Sequence, residues 1–244
     1  MDNHLTLTGM VLSAMPVGEY DKRISLLTRE QGKISAFVRG ARRPKSPLLA
    51  AANPMSFGTF FAYEGRDSYT IQKADITEHF ENVRSDIDLI LYATYFMEVA
   101  DYYGREGMDE TERLKLLYAG LRALGKGQVD MDLVRLVYDL KTLTINGEEP
   151  NVFECLSCGK KEDISFFSMY HRGTICRDCY TKEGGEELQQ SVLYALQFVI
   201  STPVEKLFSF RLSDDAKDQL KDLLTRYQNR YVDHTFKSER FLTE

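Results

Sequence analysis

The sequence predicts an α+β protein: a small N-terminal β-barrel of five strands, followed by a helical domain with an inserted cysteine module. Three observations carry this prediction. Apolar and polar residues alternate with period two through residues 1–80, with turn residues at close spacing. The period switches to that of an amphipathic helix after residue 80. All four cysteines fall within residues 151–185, where helical periodicity fades.

The strands follow in order. Leu5, Leu7, Gly9 and Val11 alternate with Thr6, Thr8 and Met10. Ile24, Leu26 and Thr28 alternate with Ser25, Leu27 and Arg29. Glu30-Gln31-Gly32-Lys33 forms a hairpin turn, with Gly32 free to take positive φ. Ile34 to Arg39 makes the return strand, and Gly40 to Pro47 is a loop punctuated by glycine and two prolines. Met55 to Tyr63 is strand-like, Glu64 to Asp67 turns, and Ser68 to Ile76 returns. Five short strands with no crossover helix suggest a closed barrel, and the five-stranded OB type fits.

Ile87, Ile90, Leu91, Tyr95, Val99 and Tyr102 fall on helical spacing from about Ser85 to Tyr103. Asp109 with Glu112 resembles a capping box ahead of Leu114, Leu117, Leu121 and Leu124. Asp130 is placed to cap a third helix through Leu133, Leu136, Val137 and Leu140, ended near Asn146-Gly147. Glu186 to Ile200 is helical again, and Ser213 caps a last helix through Leu220, Leu223, Leu224 and Tyr227. The tail after about Asp233 is expected to be loosely held. The expected division is a barrel over 1–80, helices over 81–150, a cysteine module over 151–185 and helices again over 186–244.

The chain has 244 residues, 31 basic and 37 acidic, for a net charge of -6, and 43% of it is hydrophobic. That composition fits a soluble globular protein and argues against disorder. Residues 46–63, a long uncharged run, contain Pro47, Asn53, Pro54 and Gly58, which would break a membrane helix. The apolar stretch from Leu5 to Gly18 lacks a basic start and makes a poor signal peptide, so a cytoplasmic location is expected.

The mean charge hides a segregation. Residues 1–80 carry 10 basic and 8 acidic side chains, whereas residues 81–150 carry 8 and 14. No acidic residue lies between Glu30 and Glu64, yet Lys33, Arg39, Arg42, Arg43 and Lys45 all do. Such a patch is either a solvated loop or a strip that binds phosphate. Lys22 and Arg23 open the preceding strand and rank lower, because a hairpin need not bring them to the loop. Phe37, Phe57, Phe60, Phe61, Tyr63 and Tyr69 could stack on bases, although most are expected in the barrel core.

Cys155, Cys158, Cys176 and Cys179 form C-x2-C, 17 intervening residues, and a second C-x2-C. Each two-residue gap lets a pair of thiolates point at one centre, and two pairs complete a tetrahedron suited to one zinc ion. With four protein ligands the ion would be structural, having no open position for water. The alternatives are metal-free thiols or redox pairs, and a redox pair would sit at a helix start in a βαβ setting that is not seen. His171, near the second pair, reads as a surface residue.

No catalytic signature emerges. The histidines at 4, 79, 171 and 234 are isolated in sequence. Residues Gly120 to Gly127 contain the Gly-x4-Gly-Lys of a phosphate loop, but Gly127 stands where Ser or Thr would hold magnesium, and a helix precedes it instead of a strand. This stretch reads as a helix end.

Taken together, Gly9-Met10-Val11-Leu12, Gly18-Glu19-Tyr20-Asp21, Ile24 to Thr28 with Glu30-x-Gly32, and Arg39-Gly40-Ala41-Arg42-Arg43 with Ser46 resemble the bacterial recombination mediator and DNA repair family RecO. The cysteine pairs follow at the matching place, and the resemblance covers essentially the whole chain. It implies an OB domain, a helical domain and a zinc module. It also implies binding of single- and double-stranded DNA, annealing of complementary strands and, with RecR, loading of RecA onto DNA covered by single-strand-binding protein. A bacterial cytoplasmic, nucleoid-associated protein and no enzyme would follow. The DNA contacts carried over are Arg39, Arg42, Arg43 and Lys45, with Lys33, Arg23 and Lys22 beside them. A groove in the helical domain would take the acidic, apolar C-terminal tail of single-strand-binding protein, with Arg135 and Tyr138 as its carriers. The alternative is a zinc-ribbon scaffold that binds proteins without touching DNA. A third reading, a hydrolase or transferase with an unseen site, would need a large apolar pocket with convergent titratable groups.

Overall fold

A computed structural model describes residues 3–66 and 68–242. The turn expected at Glu64 to Asp67 therefore falls partly outside the described residues at Asp67. The N-terminal strands are β1 (His4–Val17), β2 (Asp21–Thr28), β3 (Gly32–Val38), β4 (Phe57–Glu64) and β5 (Tyr69–Glu78). They close into a five-stranded barrel, as the sequence predicts, and the strand order is β1-β2-β3-β5-β4. The closing contact is short and parallel, pairing Ala36 with Tyr69 and Phe37 with Thr70.

Strand β1 is longer than alternation alone shows, because it serves two neighbours. Its first half pairs with β4 from His4 to Met10, and its second with β2 from Gly9 to Val17. A bulge between Val11 and Ser13 bends the strand between these roles and breaks the period-two pattern there. Gly9 sits opposite Gly58 at this seam. A Cβ on Gly9 would lie 2.5 Å from the Leu27 carbonyl oxygen, and one on Gly58 would lie 2.3 Å from that of Asp75. Only glycine lets the backbones approach this closely.

The barrel core holds Leu7, Val11, Ile24, Leu26, Ile34, Ala36, Val38, Phe60, Ala62 and Ile71. Leu27, predicted to face outward, is also fully buried. Helix α1 (Glu81–Arg84) leads into α2 (Ile87–Tyr103), and α2 packs on β1 and β2, so this part of the sheet is covered on both faces. Asp101 of α2 accepts a hydrogen bond from Ser25 at 2.6 Å. The Asp86 side chain caps α2 by accepting from the Asp88 and Leu89 amides. Ile87, predicted on the buried face, is instead exposed at the first turn. Helix α3 (Thr111–Lys126) packs on α2 and contains most of the glycine-lysine stretch, which confirms that stretch as a helix end.

The tail corrects an expectation. Phe236 is buried and packs edge-on against Tyr95 and Tyr102 at 5.7 and 5.6 Å. The amides of Lys237 and Ser238 donate to the two carboxylate oxygens of Glu98 at 2.9 and 2.8 Å. One buried ring and a doubly bonded carboxylate hold this segment down. The described residues from Phe236 onward thus group with those up to Lys126 in one compact unit.

Residues 127–235 form the second unit. Helix α4 (Met131–Asn146) starts at the predicted cap, where Asp130 accepts from the Leu133 amide at 3.1 Å. Every residue from Leu133 to Leu143 is buried. A three-stranded sheet of β6 (Phe166–Ser168), β7 (Gly173–Ile175) and β8 (Glu186–Glu187) carries the cysteine module, with a short helix α5 (Arg177–Glu183) after β7. Helices α6 (Gln190–Ser201) and α7 (Asp214–Tyr231) pack on α4 and on each other, and Ser213 caps α7 as predicted. The buried Lys141 ammonium donates to the carbonyls of Val199, Ile200 and Thr202 at 3.2, 3.1 and 2.8 Å. It closes the carbonyl end of α6, where orphan acceptors and the helix dipole favour a cation.

Candidate nucleic-acid interface and metal centre

The basic residues after β3 sit on a folded loop. Residues 40–56 run across one end of the barrel and bury Ala41, Leu48, Ala51 and Ala52 in its core. Backbone bonds fix the turns: Arg42 N–H to Tyr20 O at 2.9 Å, Arg43 N–H to Gly40 O at 3.1 Å and Ser46 N–H to Arg43 O at 3.1 Å. The Asp21 carboxylate accepts from the Gly40 amide at 2.7 Å. The loop is thus anchored through backbone and small apolar side chains, and its charged side chains point to water. Arg39, Arg42, Arg43 and Lys45 are all exposed. Among the described residues none of the four forms an ion pair.

Lys22 and Arg23 join this end, which corrects the lower rank given them. The β2–β3 register pairs Lys22 with Val38 and Arg23 with Phe37, directly before Arg39. An antiparallel hairpin must place the start of one strand beside the end of the next. Their roles differ. Lys22 is half-buried and donates to Ala52 O at 3.1 Å and Asn53 Oδ1 at 2.7 Å, so it anchors the loop. Burial, and then the nearby Arg42, hold its pKa below the usual lysine value. Arg23 is exposed, donates to Ser35 Oγ at 2.7 Å and lies 5.9 Å from the Phe37 ring centre. Lys33 does not belong to the patch. It opens β3, about 20 Å of strand from Arg39, and its ammonium pairs with Asp101 at 3.6 Å.

Of the six aromatics considered, Phe60 and Tyr69 are buried in the barrel, and Phe57 packs on Tyr118 of α3 at 4.7 Å. Phe61 is half-buried with the Lys73 ammonium 5.0 Å from its ring, and Tyr63 packs edge-on against His4. Only Phe37 borders the basic end, beside Arg23. The aromatic that sequence reading missed is Tyr20. It is exposed on the β1–β2 turn, with the Arg43 guanidinium 5.2 Å from its ring centre, and Arg42 donates to Gly18 O of the same turn at 3.1 Å. Gly18-Glu19-Tyr20-Asp21 carries part of the family resemblance, but its contact with residues 40–43 is made only by barrel closure.

The four cysteines converge. Their sulfurs all lie within 4.8 Å of one another, and Cys158 and Cys176 are 3.7 Å apart. Each pair sits on a tight turn. The Cys155 amide donates to Lys160 O and the Gly159 amide to Cys155 O, both at 2.7 Å. The second pair spans the start of α5, with Cys179 N–H bonded to Cys176 O at 3.1 Å. The helix start considered for a redox pair is present, but α5 follows an antiparallel sheet and not a βαβ unit. Burial opposes charge on Cys155, yet the amides of Cys176, Cys158 and Ser157 aimed at its sulfur bring its pKa down to about 6. Ser157 favours charge on Cys179, but burial and the other three sulfurs outweigh it and push that thiol up to about 12. Four sulfurs at this spacing suit one metal ion.

A second layer ties the module together. Glu183, at the end of α5, accepts from Ser157 Oγ at 2.6 Å and meets His171 Nε2 at 2.5 Å. Ser157 lies between the first two cysteines, so Glu183 links that turn to α5 and to the β6–β7 hairpin. Hydrogen bonds from Ser157 and then His171 hold its carboxyl below the usual glutamate value.

Arg135 and Tyr138 do not form the expected open groove. Tyr138 is fully buried, and Arg135 is buried on α4 with its Nε 3.5 Å from Asp139. Their helix is enclosed on nearly every face, so an incoming segment has no surface to occupy there. No helix among the described residues is long and apolar enough to cross a membrane.

An OB-type barrel, a helical part and a four-thiol module define a multi-part class in which a small β-barrel leads a cysteine-bearing helical domain. The N-terminal domain of recombination protein O matches residues 1–80, and its C-terminal domain matches residues 84–240. The chain belongs to this recombination protein O family, whose role is in DNA repair and recombination. Among curated relatives it is similar to the DNA repair protein RecO of Acetivibrio thermocellus, 29% identical over 243 residues, covering 98% of this chain and 96% of the relative. The DNA repair protein RecO of Bacillus pumilus is 30% identical over 237 residues, covering 97% and 92%. That of Bacillus subtilis is 28% identical over 237 residues, with the same coverage.

Proposed function

We propose that this chain is a non-enzymatic, DNA-binding recombination mediator. The observation that carries the reading is the cluster of Arg39, Arg42, Arg43 and Lys45, exposed and without carboxylate partners among the described residues, on a loop anchored mainly by backbone bonds and small apolar side chains. Guanidinium and ammonium groups free of carboxylate partners can bind backbone phosphate without rearrangement and without reading base identity. Tyr20 and Phe37 border the cluster and offer faces for stacking. Capture of this kind brings single or double strands to one barrel end, where two complementary strands can meet and anneal. Family membership extends the reading to cooperation with RecR, to contact with the C-terminal tail of single-strand-binding protein and to indirect loading of RecA. No covalent step is required, and a cytoplasmic, nucleoid-associated protein is expected.

We infer that Cys155, Cys158, Cys176 and Cys179 hold one zinc ion. Thiolates at tetrahedral spacing favour zinc, and four protein ligands leave it a structural role. The module's own core is small: Ile164, Phe166 and Ile175 beside the cysteines, with Tyr180 stacked on Phe166 at 4.1 Å. The ion would supply much of what orders residues 151–185.

The test is binding of a fluorescent single-stranded oligonucleotide at low salt. Tight binding supports the mediator. No binding, with a protein partner still captured, would favour the zinc-ribbon scaffold instead. Metal analysis of purified chain should give one zinc per chain, and none would remove the zinc assignment.

A further inference from the structure

The cations at the basic end of the barrel have apolar company. Ten large apolar side chains stand well exposed among the described residues, and three of them, Met15, Tyr20 and Leu49, lie at or beside this end. Tyr20 already packs on Arg43. Leu49 is 45% exposed and Met15 61%. The loop turns Leu48 into the barrel core and its neighbour Leu49 out to water. Three successive turns carry the chain from the cations to Leu49. The amide of Arg43 donates to Gly40 O, that of Ser46 to Arg43 O and that of Leu49 to Ser46 O, each at 3.1 Å. Each turn brings its end residues within about 7 Å, so Leu49 lies within about 14 Å of Arg43. Met15 is the register partner of Arg23, and partnered residues present their side chains on one face of a sheet. Lys22, next to Arg23, donates to Ala52 O, three residues past Leu49, so this strand start and the loop are held together.

We propose that Leu49 and Met15 cover base faces of a single strand whose phosphates the neighbouring cations hold, and so set a preference for single strands over closed duplex. The proposal rests on the DNA-binding reading above and adds to it the residues that sense unpaired bases. A nucleotide carries its phosphate and its base a short distance apart, so a cation with an apolar side chain beside it matches one unit of the strand. Cations alone hold single and double strands alike, because both present phosphate. Base faces are open in a single strand and covered by neighbouring bases in a duplex. An aliphatic side chain packs on a base face without hydrogen bonds, as apolar wedges do where proteins part stacked bases, so the contact does not read sequence. Pro44 and Pro47 restrict the loop, which leaves less freedom to lose on binding. Charge selects the occupant: no acidic residue falls between Glu30 and Glu64, so this segment offers an anionic strand no repulsion of its own.

The test compares two probes of equal length on the purified full chain, an oligothymidylate and a strand of abasic deoxyribose phosphates. Both carry the same phosphates, and only the first has bases. Leu49→Ala with Met15→Ala should weaken the oligothymidylate about fivefold and leave the abasic strand and a closed duplex unchanged. Leu49→Phe, which enlarges the apolar face, should hold the oligothymidylate at least as tightly as the wild-type chain does. Arg42→Ala with Arg43→Ala should weaken both strands alike, which tests the phosphate contacts by themselves. Unchanged binding of the oligothymidylate to the Leu49 and Met15 double variant would overturn the proposal and point to a protein partner for these side chains, with the phosphate reading still standing. An equal loss on both strands would also overturn it, as the sign of a disturbed loop. No binding of either strand to the wild-type chain would overturn the phosphate reading and the proposal with it.

Discussion

Two parts of this molecule present chemistry on loops, and they are held in opposite ways. The loop of residues 40–56 is held by the barrel: it buries Ala41, Leu48, Ala51 and Ala52 and closes backbone bonds onto Tyr20 and Asp21. Its cations are left over, unpaired and exposed. The cysteine module has few apolar residues of its own, and its functional side chains are themselves the core. The first arrangement needs no ligand to be ordered and keeps its charged groups for a partner. The second places thiols inside its own small core. An exposed charge can serve binding when other residues do the folding.

Metal removal should expose the difference most strongly. Structural zinc contributes about 10–16 kcal/mol to folding in isolated zinc-finger peptides. Chelation should therefore abolish hydrogen-exchange protection over residues 151–185 and leave that over residues 4–78 intact. Equal loss in both would show that the barrel depends on the module.

The barrel should be sensitive instead to backbone fit. Gly32 has φ +67°, and a Cβ there would lie 2.1 Å from the Arg105 carbonyl oxygen. Gly32→Ala should cost about 2–3 kcal/mol from the left-handed conformation and the clash together, measured by urea unfolding with metal content unchanged. A cost below that of an ordinary surface substitution would mean that this contact is not made in solution.

Asp130→Ala removes the α4 cap and should cost about 1 kcal/mol, seen as a lower midpoint in the same titration. The smallest effect concerns the brace at Glu183. Glu183→Gln keeps the shape and removes the charge that holds Ser157 and His171. Metal release to a chelator should become a few-fold faster, in keeping with supporting residues around metal ligands, with little change in unfolding midpoint. An unchanged release rate would leave Glu183 a surface residue.

The fold was legible wherever a local rule decides it. Period-two alternation, the turn at Gly32, the caps at Asp130 and Ser213 and the cysteine spacing each depend on residues a few positions apart. What escaped depends on closure or packing. Strand β1 runs on to Val17 because it must bend between two neighbours. Leu27 is buried because a helix covers the outer face. Tyr20 meets Arg43 only across two loops brought together by the barrel. The tail is tied down by Glu98, about 140 residues earlier in the chain and with no local signal. The clustering of the four cysteines was readable in full, whereas the basic patch needed the register to remove Lys33 and admit Arg23 and Lys22. Arg135 and Tyr138 failed because a charged residue beside apolar ones on a helix reads the same whether the helix is exposed or enclosed.

The most direct test of the central claim is the salt dependence of single-stranded DNA binding in three forms of the full chain: wild type, Arg42→Ala with Arg43→Ala, and metal-stripped. Each lost phosphate contact removes about 0.7 from the slope of log affinity against log salt. The double variant should therefore lose about 1.4 from the slope at unchanged melting temperature, while the metal-stripped protein keeps the wild-type slope. A double variant with the wild-type slope, or a slope that falls only when metal is removed, would place the DNA site outside the barrel loop and contradict this account.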